Sequence, residues 1–470
     1  MTHIKNIQKN DTICAPACAS ANSALSIIRL SGPSAHQILR KIFCPTQKSS
    51  DLCPRKLYFG RIYDGSRLID EVMVHIAVAP ASFTGEDTAE ISCHGSSYIV
   101  QEIMRLLVQE GAVPAGPGAF SQRAFLNGKM DLAQAEAIAD LIASENQAAH
   151  HLAVAQMKGG FSKEIRKLRS DLVDFASLLE LELDFSEEDL IFADRRRLLD
   201  LLDRLQGAIQ TLCDSFSLGN VLKNGLPVAI IGPTNAGKST LLNALTGEER
   251  AIVSEVHGTT RDTIEEEITL DGIRFRFIDT AGLREAKEEI ERMGIERSYQ
   301  KIRTASLLLL VLDASQPESF GAQIQNLASA LNADTQLVIV LNKSDKVHTP
   351  PPLPPAEAKL LVYAVTSLSA KFNRDIDELK NLLTAAVHSR FDSSLLPQDA
   401  IPVTNLRHVH ALQQAQYALD AVREGLKSEL PTDLIVQDLR QALHDLGSIT
   451  GEVATKEILE NIFAKFCIGK

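Results

Sequence analysis

Gly232-Pro233-Thr234-Asn235-Ala236-Gly237-Lys238-Ser239 fits the spacing G-x-x-x-x-G-K-[ST]. Glycines at its two ends let successive backbone N–H groups turn toward an anion, and a helix beginning there adds its positive dipole end. The lysine brings a point charge to the β- and γ-phosphates, and the hydroxyl that follows ligates Mg²⁺. The flanks give the motif its context. Residues 228–231 are an apolar, β-branched run that reads as a buried strand, and Leu241, Leu242 and Leu245 recur at helical spacing. Strand, glycine loop and helix in that order describe a nucleotide site and not a chance turn.

Further signals follow in sequence. Gly258-Thr259-Thr260-Arg261-Asp262 lies in a polar loop where a threonine can complete a Mg²⁺ shell. Residues 273–278 alternate as a strand that ends in Asp279-Thr280-Ala281-Gly282. Asp279 there holds Mg²⁺ through water and the Gly282 N–H senses a γ-phosphate. Residues 307–313 and 337–341 read as buried strands, and the second ends in Asn342-Lys343-Ser344-Asp345. A carboxylate at Asp345 accepts from guanine N1–H and N2–H₂, a pattern adenine cannot present. A strand at 362–365 leads to Ser369-Ala370-Lys371, whose backbone meets guanine O6. Together these make the chain a GTPase. Leu283 stands where Ras-like enzymes carry a water-orienting glutamine, so that task falls elsewhere. The acidic run Glu285, Glu288, Glu289 and Glu291 supplies candidates, most of them merely a solvated helix start.

Larger elements must position these residues. A length of 470 residues exceeds one core, and 45% hydrophobic with 23% charged residues is a soluble globular composition. A net charge of −12 argues against a broad electrostatic grip on nucleic acid but leaves room for a locally basic surface. The seven cysteines are scattered, which suits reduced thiols. Cys14-x-x-x-Cys18 and Cys93-His94 lack a second pair at zinc spacing and read as small buried residues. A polar N-terminus and a longest apolar run of only 307–312 predict a cytoplasmic chain without a membrane span.

Residues 1–128 mix strand-like and helix-like pieces, with strands expected at 70–79 and 89–93 and a helix over 98–110. Between Pro117 and Pro227 no proline occurs, and Leu168, Leu172, Phe175, Leu178, Leu179 and Leu183 follow helical spacing, so long antiparallel helices are expected. Arg195-Arg196-Arg197 reads as a solvated helix face beside Glu187, Glu188 and Asp189 rather than as an RNA contact. Residues 349–355 form a stiff proline-rich loop, and from 403 the chain is helical again, broken near Pro431. The fold class is multidomain, α/β plus all-α. Four segments follow: an α/β domain at 1–128, a first helical part at 129–224, an inserted Ras-like P-loop domain at 225–390, and a second helical part at 391–470.

Over nearly its whole length the chain resembles the MnmE (TrmE) family of tRNA-modification GTPases. The marks are Ser82-Phe83-Thr84-Gly85-Glu86-Asp87, the block 120–142 (FSQRAFLNGKMDLAQAEAIADLI), Gly258-Thr259-Thr260-Arg261-Asp262, residues 279–285 (DTAGLRE) and the tail 466–470 (FCIGK). The tail and the long block are highly specific, whereas the GTPase motifs are shared with many families. The resemblance implies an N-terminal folate-binding domain that dimerises, a helical domain in two sequence segments and an inserted G domain. It further implies a heterotetramer with an FAD-dependent flavoprotein of the MnmG type and tRNA as substrate. Together the two proteins place an aminomethyl-type group on C5 of the wobble uridine, using a tetrahydrofolate derivative in its 5,10-methylene or 5-formyl form.

Matched position by position, the resemblance implies that Arg29, Glu90, Lys129 and Lys470 contact the folate and that Cys467 serves the tRNA chemistry. Asn235, with the main chain of Ser254, Val256 and Thr259, corresponds to a K⁺ site, and Ser239 and Thr260 to the Mg²⁺ ligands. Glu291 corresponds to the catalytic glutamate. The nucleotide site extends to Ala236, Gly237, Lys238, Thr240, Glu255, His257, Gly258, Thr280, Ala281 and Ser344 alongside the residues above. The chemistry is coherent, because K⁺ beside the phosphates replaces an arginine finger and a carboxylate aligns water. Two stretches depart from the family: Ser20-Ala21-Asn22-Ser23-Ala24 replaces a glycine-rich turn before Arg29, and Lys371-Phe372-Asn373-Arg374-Asp375 replaces one after Ala370. Two rivals are a ribosome-assembly GTPase and a folate-dependent aminomethyl transferase. The first needs an RNA-binding module, yet residues 391–470 carry 11 acids against 7 bases. The second leaves the GTPase insert unexplained.

Overall fold

Alternation of apolar and polar residues builds the first sheet. The computed structural model describes residues 10–17, 22–46, 52–54, 56–184, 195–247, 265–279, 305–328, 335–353, 361–390, 401–428, 430–464, 466, 467 and 469. The chain divides into two units, one of Met1–Ala143, Val154–Gln206 and Ala411–Lys470, the other of Ser144–Ala153 and Gly207–His410.

In the first unit β1 (Ile13–Pro16), β2 (Ser23–Ser31), β3 (Phe43–Pro45), β4 (Leu57–Asp64), β5 (Arg67–Ala77), β6 (Thr88–Gly95) and β7 (Val113–Pro114) form one sheet in the order β3-β4-β5-β6-β2-β1-β7. Its pairs are antiparallel except β1 with β7. Ile28, Leu30, Ile62, Val72, Val74, Ile76 and Ile91 point to one side, where α1 (Ala35–Ile42) and α2 (Ser97–Gln109) bury them. A sheet covered on one face only alternates in this way. The opposite face carries Leu25, Leu57, Phe59 and Met73, all of them exposed.

Next come α3 (Ala119–Leu126), α4 (Leu132–Ile142), α5 (Gln147–Met157), α6 (Gly160–Asp184) and α7 (Arg195–Asn224). Helix α4 starts at Asp131 because the Asp131 side chain accepts from the Gln134 N–H while Gln134 reaches back to the Asp131 N–H. The stripe Leu168, Leu172, Phe175 and Leu179 is buried as its spacing predicts, whereas the side chains of Leu178 and Leu183 lie outside the described residues. So do Cys18 and the side chains of Arg195, Arg196 and Arg197.

The second unit holds a six-stranded sheet. Its members are β8 (Leu226–Ile231), β9 (Glu265–Leu270), β10 (Ile273–Asp279), β11 (Leu307–Asp313), β12 (Gln336–Asn342) and β13 (Val362–Ser367), in the order β13-β12-β11-β8-β10-β9. All pairs are parallel except β9 with β10. Helices α8 (Lys238–Thr246), α9 (Phe320–Ala328) and α10 (Ile376–Arg390) accompany it. Two separate apolar clusters, one around Val228, Ile230, Leu309 and Val340 and one around Leu308, Leu310, Phe320 and Ile339, cover its two faces. This is why β11 is buried at every position and reads as a continuous apolar run. The chain passes from β8 to β10 on one side and then to β11 on the other, so the crevice at the C-terminal end of β8 is the topological switch point.

The chain closes with α11 (Leu406–Lys427), α12 (Thr432–Thr450) and α13 (Lys456–Phe463). Thr455 caps α13 by accepting from the Ile458 N–H. Among the described residues, no helix is long and apolar enough to cross a membrane.

Candidate functional site

The turn from β8 into α8 is shaped by two glycines. Gly232 has φ +144°, and a Cβ there would stand 2.1 Å from the Val311 carbonyl; Gly237 has φ +94°, and a Cβ there would stand 2.3 Å from Asn342 Nδ2. Both positions need glycine, for conformation and for close approach. Lys238, first residue of α8, donates from Nζ to the carbonyls of Gly232 at 2.8 Å and Pro233 at 2.9 Å, so its ammonium lies across the loop.

Asn342, at the end of β12, ties three loops together. Its Nδ2 donates to the Ala236 carbonyl at 2.8 Å, and its Oδ1 accepts from the N–H groups of Lys343 at 2.8 Å and Ala370 at 3.0 Å. The side chain is buried, so each of these partners replaces water that is not there. Ser344 adds a main-chain bond to the Leu368 carbonyl at 3.1 Å.

Asp345 accepts from the Ser369 hydroxyl at 2.5 Å. That bond, ahead of the nearby charges of Lys346 and Lys371, holds the Asp345 carboxyl below its ordinary pKa. Lys343 reaches back to Asp313 at 2.6 Å, and Asp313 also accepts from the Ser315 N–H at 3.0 Å and the Ser315 hydroxyl at 2.6 Å. Burial alone would push the Asp313 pKa up; the bonds from Lys343 and Ser315 outweigh it and bring it below the usual value. Asp313 and Ser315 were not read from the sequence as site residues, although a carboxylate ending an apolar strand one place in register from a lysine-bearing loop is a usable signal.

These pieces surround a pocket of about 430 Å³ lined by Asn235, Gly237, Lys238, Ser239, Thr240, Asn342, Lys343, Asp345, Lys346, Ser369 and Lys371. Ala236 and Ala370 lie buried just behind it. The structure thus brings together the glycine loop, the residues that can read guanine and the backbone beyond β13. A carboxylate aligned by a hydroxyl can accept two N–H groups, and a loop of N–H groups with one ammonium can hold phosphates. Asp279 ends β10 opposite Ile230, its side chain outside the described residues. Ser254, Glu255, Val256, His257, Gly258, Thr259, Thr260, Thr280, Ala281, Gly282 and Glu291 also lie outside them.

In the first unit Arg29 organises a second site. Its Nε donates to Glu90 Oε1 at 2.8 Å, with Nη2 in ion-pair contact with the same oxygen at 2.8 Å, and its Nη1 donates to the Gly469 carbonyl at 3.2 Å. Its guanidinium also stacks over Phe83 at 5.5 Å and Phe120 at 5.7 Å from the ring centroids. A pocket of about 300 Å³ opens beside it, lined by His75, Ala77, Ala81, Ser82, Phe83, Thr84, Thr88 and Glu90 as well as Arg29. Lys129 does not line this pocket; its Nζ donates to the Pro80 carbonyl at 2.9 Å. Cys467 has an exposed side chain and its carbonyl accepts from the Gly118 N–H at 3.3 Å. Lys470 lies outside the described residues. His75 was missed from sequence, and Phe83 and Phe120 entered only as members of longer motifs, since nothing local marks them as neighbours of Arg29.

Among the described residues no group of three His, Cys, Asp or Glu side chains is placed to hold a metal ion; Cys14 and Cys93 are buried, as expected, and stand in no disulfide. Burial pushes the Cys14 thiol up to about 12.

The comparisons with known proteins fall on the same map. A family model for the N-terminus of the GTP-binding protein TrmE matches residues 12–129, and one for the MnmE helical domain matches residues 132–467. The tRNA modification GTPase MnmE of Bacteroides thetaiotaomicron is 48% identical over 98% of this chain and 99% of its own. That of Cytophaga hutchinsonii is 49% identical over 98% of each. With both models in register and near-half identity from end to end, the chain belongs to the MnmE family of tRNA modification GTPases.

Proposed function

We propose that this GTPase is activated by K⁺ and works with an FAD-dependent flavoprotein of the MnmG type. The pair adds an aminomethyl-type group, carboxymethylaminomethyl or a relative, to C5 of the wobble uridine of certain tRNAs, from a folate-borne one-carbon unit. The observation that carries the hydrolase half is the pocket whose three loops meet at Asn342.

Asp345, aligned by Ser369, would select guanine, while the backbone of the 232–237 loop and Lys238 would hold the phosphates. Ser239, with Thr260, would ligate Mg²⁺, and Asn235, with the main chain of Ser254, Val256 and Thr259, would hold K⁺. Both described members of these sets, Ser239 and Asn235, line the pocket, so the residues present fit cations at the phosphates. The cations would supply charge stabilisation when bound. Glu291 would align the attacking water in place of the glutamine that Leu283 replaces.

The Arg29 pocket supports the folate half. A half-buried guanidinium within cation–π distance of two aromatic rings, with one carboxylate beside it, suits a flat, acidic ligand. Arg29, Glu90, Lys129 and Lys470 would contact the folate, and Cys467 would serve the transfer to uridine. Exposed Phe59 and Met73, paired across β4 and β5, with exposed Leu25 and Leu57 on the same face, support a homodimer through this sheet. We read the segments as 1–128, 129–224, 225–390 and 391–470, and the site of action as the cytoplasm.

The test has two parts. GTP turnover is measured in K⁺ and in Na⁺ for the native chain and Glu291→Ala, and wobble-uridine modification is scored in a deletion strain complemented with the chain. Turnover should fall in Na⁺ and in Glu291→Ala with nucleotide binding spared, because both contributions belong to the transition state. Normal hydrolysis by Glu291→Ala in K⁺, or failure to restore the modified base, overturns the corresponding half.

A further inference from the structure

An acidic protein that handles RNA must do so at a local concentration of positive charge. One lies at the start of α6. Between positions 158 and 169 the chain carries Lys158, Lys163, Arg166, Lys167 and Arg169 against a single acid, Glu164, within a molecule of net charge −12. Phe161, Ile165, Leu168 and Leu172 point into the core, so the helix turns Lys163, Arg166 and Lys167 outward at spacings of three and four residues, and Lys158 is exposed just before it.

The arginines of this stretch are engaged. Arg169 pairs with Glu452 at 2.7 Å and Arg166 with Asp131 at 2.5 Å. Asp131 is in turn saturated, accepting also from the Gln134 N–H at 2.9 Å and the Ser162 hydroxyl at 3.0 Å. Lys158, Lys163 and Lys167 have no carboxylate within ion-pair distance among the described residues. The first turn of α6 holds no acidic residue of its own. The start of α4 is tied into the same place, since Asp131 caps α4 and bonds Ser162 and Arg166 of α6. Asp131 answers both helix starts and Arg166, which leaves Lys158, Lys163 and Lys167 exposed without a carboxylate of their own among the described residues. A polyanionic backbone answers several such charges at once.

We propose that Lys158, Lys163 and Lys167, with the partly exposed guanidinium of Arg166 among them, form a docking surface for the phosphate backbone of the tRNA. The inference rests on the function in tRNA modification proposed above and adds where the RNA is held. The contacts position the RNA and do not read its sequence.

The test uses the full chain and an unmodified tRNA transcript, with binding followed by fluorescence anisotropy from 50 to 200 mM KCl (roughly the range over which phosphate contacts are titrated). Lys158→Gln, Lys163→Gln and Lys167→Gln are combined. At low salt the triple variant should bind about tenfold or more weakly, and its log–log salt slope should be shallower by about two to three, near 0.9 for each phosphate no longer neutralised. GTP turnover should match that of the native chain. The Lys→Arg triple at the same positions keeps the charge and should bind like the native chain. Native affinity and slope in the glutamine triple overturn the proposal. So does equal weakening in the glutamine and arginine triples, which would make the lysines packing residues. A native chain that turns over GTP yet binds no tRNA at any salt overturns the surface and the tRNA half of the function together, whereas a binding native chain with an indifferent triple overturns the surface alone.

Discussion

Asn342 donates to the carbonyl of Ala236 at 2.8 Å across 106 residues of sequence. The bond joins the loop that addresses phosphates to the loop that addresses the base. It fixes the distance between the two ends of a nucleotide before any nucleotide arrives.

Asn342→Ala strands the Ala236 carbonyl and the N–H groups of Lys343 and Ala370 in a buried site. Each unpaired buried group costs about 1–3 kcal/mol, partly recovered as the loops relax. Calorimetric titration should show guanine-nucleotide affinity at least tenfold lower, and thermal unfolding a lower midpoint. Native affinity in the variant would deny Asn342 its organising role.

Asp345→Asn replaces an acceptor pair with one acceptor and one donor. The base then meets a donor where it offers its own N–H, and a charge-assisted bond is gone, so GTP affinity should fall roughly tenfold or more. Xanthosine triphosphate, whose base offers a matching acceptor, should be tolerated better. A titration with both nucleotides decides, and unchanged GTP binding would remove the assignment.

Acid should unmake the Asp313–Lys343 pair in a defined window. The Asp313 carboxyl titrates below its ordinary value in the folded chain, so the stability it confers is fully present above about pH 4, the unfolded value, and is lost as pH falls through the lower folded value. Asp313→Asn should therefore lower the melting midpoint at pH 6, and the gap to the native chain should close as pH drops below about 4. A gap that stays constant from pH 6 to pH 3 would show that the charge of Asp313 is irrelevant.

Cys467→Ser keeps size and polarity while removing the thiol. Cys467 is exposed, so the change leaves no cavity in the core. GTP turnover and dimerisation should be intact, while modified wobble uridine disappears from the tRNA of a complemented strain. Full modification would reduce Cys467 to a place in the tail.

The parallel strands were legible because β8, β11 and β12 are apolar runs and β10 alternates into a polar motif, and all four stop within a residue or two of where the sequence places them, whereas the antiparallel β9, with three glutamates at its start, was not read. The first sheet was half legible. β5 and β6 follow their alternation, but β2 and β4 escaped. β2 opens with three exposed residues, and β4 puts Leu57 and Phe59 on its exposed face and Gly60 on its buried one, so its sequence does not alternate as its burial does. The motif residues of the nucleotide pocket could be named one by one, whereas what binds them to each other could not. Asn342 to Ala236, Lys343 to Asp313 and Ser369 to Asp345 are separated by 106, 30 and 24 residues, and no local period encodes such pairs. The same holds for Arg29, whose neighbours Phe83 and Phe120 come from distant elements.

The wall of the Arg29 pocket has a consequence for how the chain is made. Arg29 is held in part by the carbonyl of Gly469, 440 positions downstream. During synthesis the strand bearing Arg29 leaves the ribosome early and waits, and the whole nucleotide unit emerges and folds in the interval. The set of bonds that holds Arg29 is finished only when residue 469 has been added. A nascent chain halted just short of that point would have every strand of its nucleotide unit, yet its Arg29 would lack the Gly469 carbonyl.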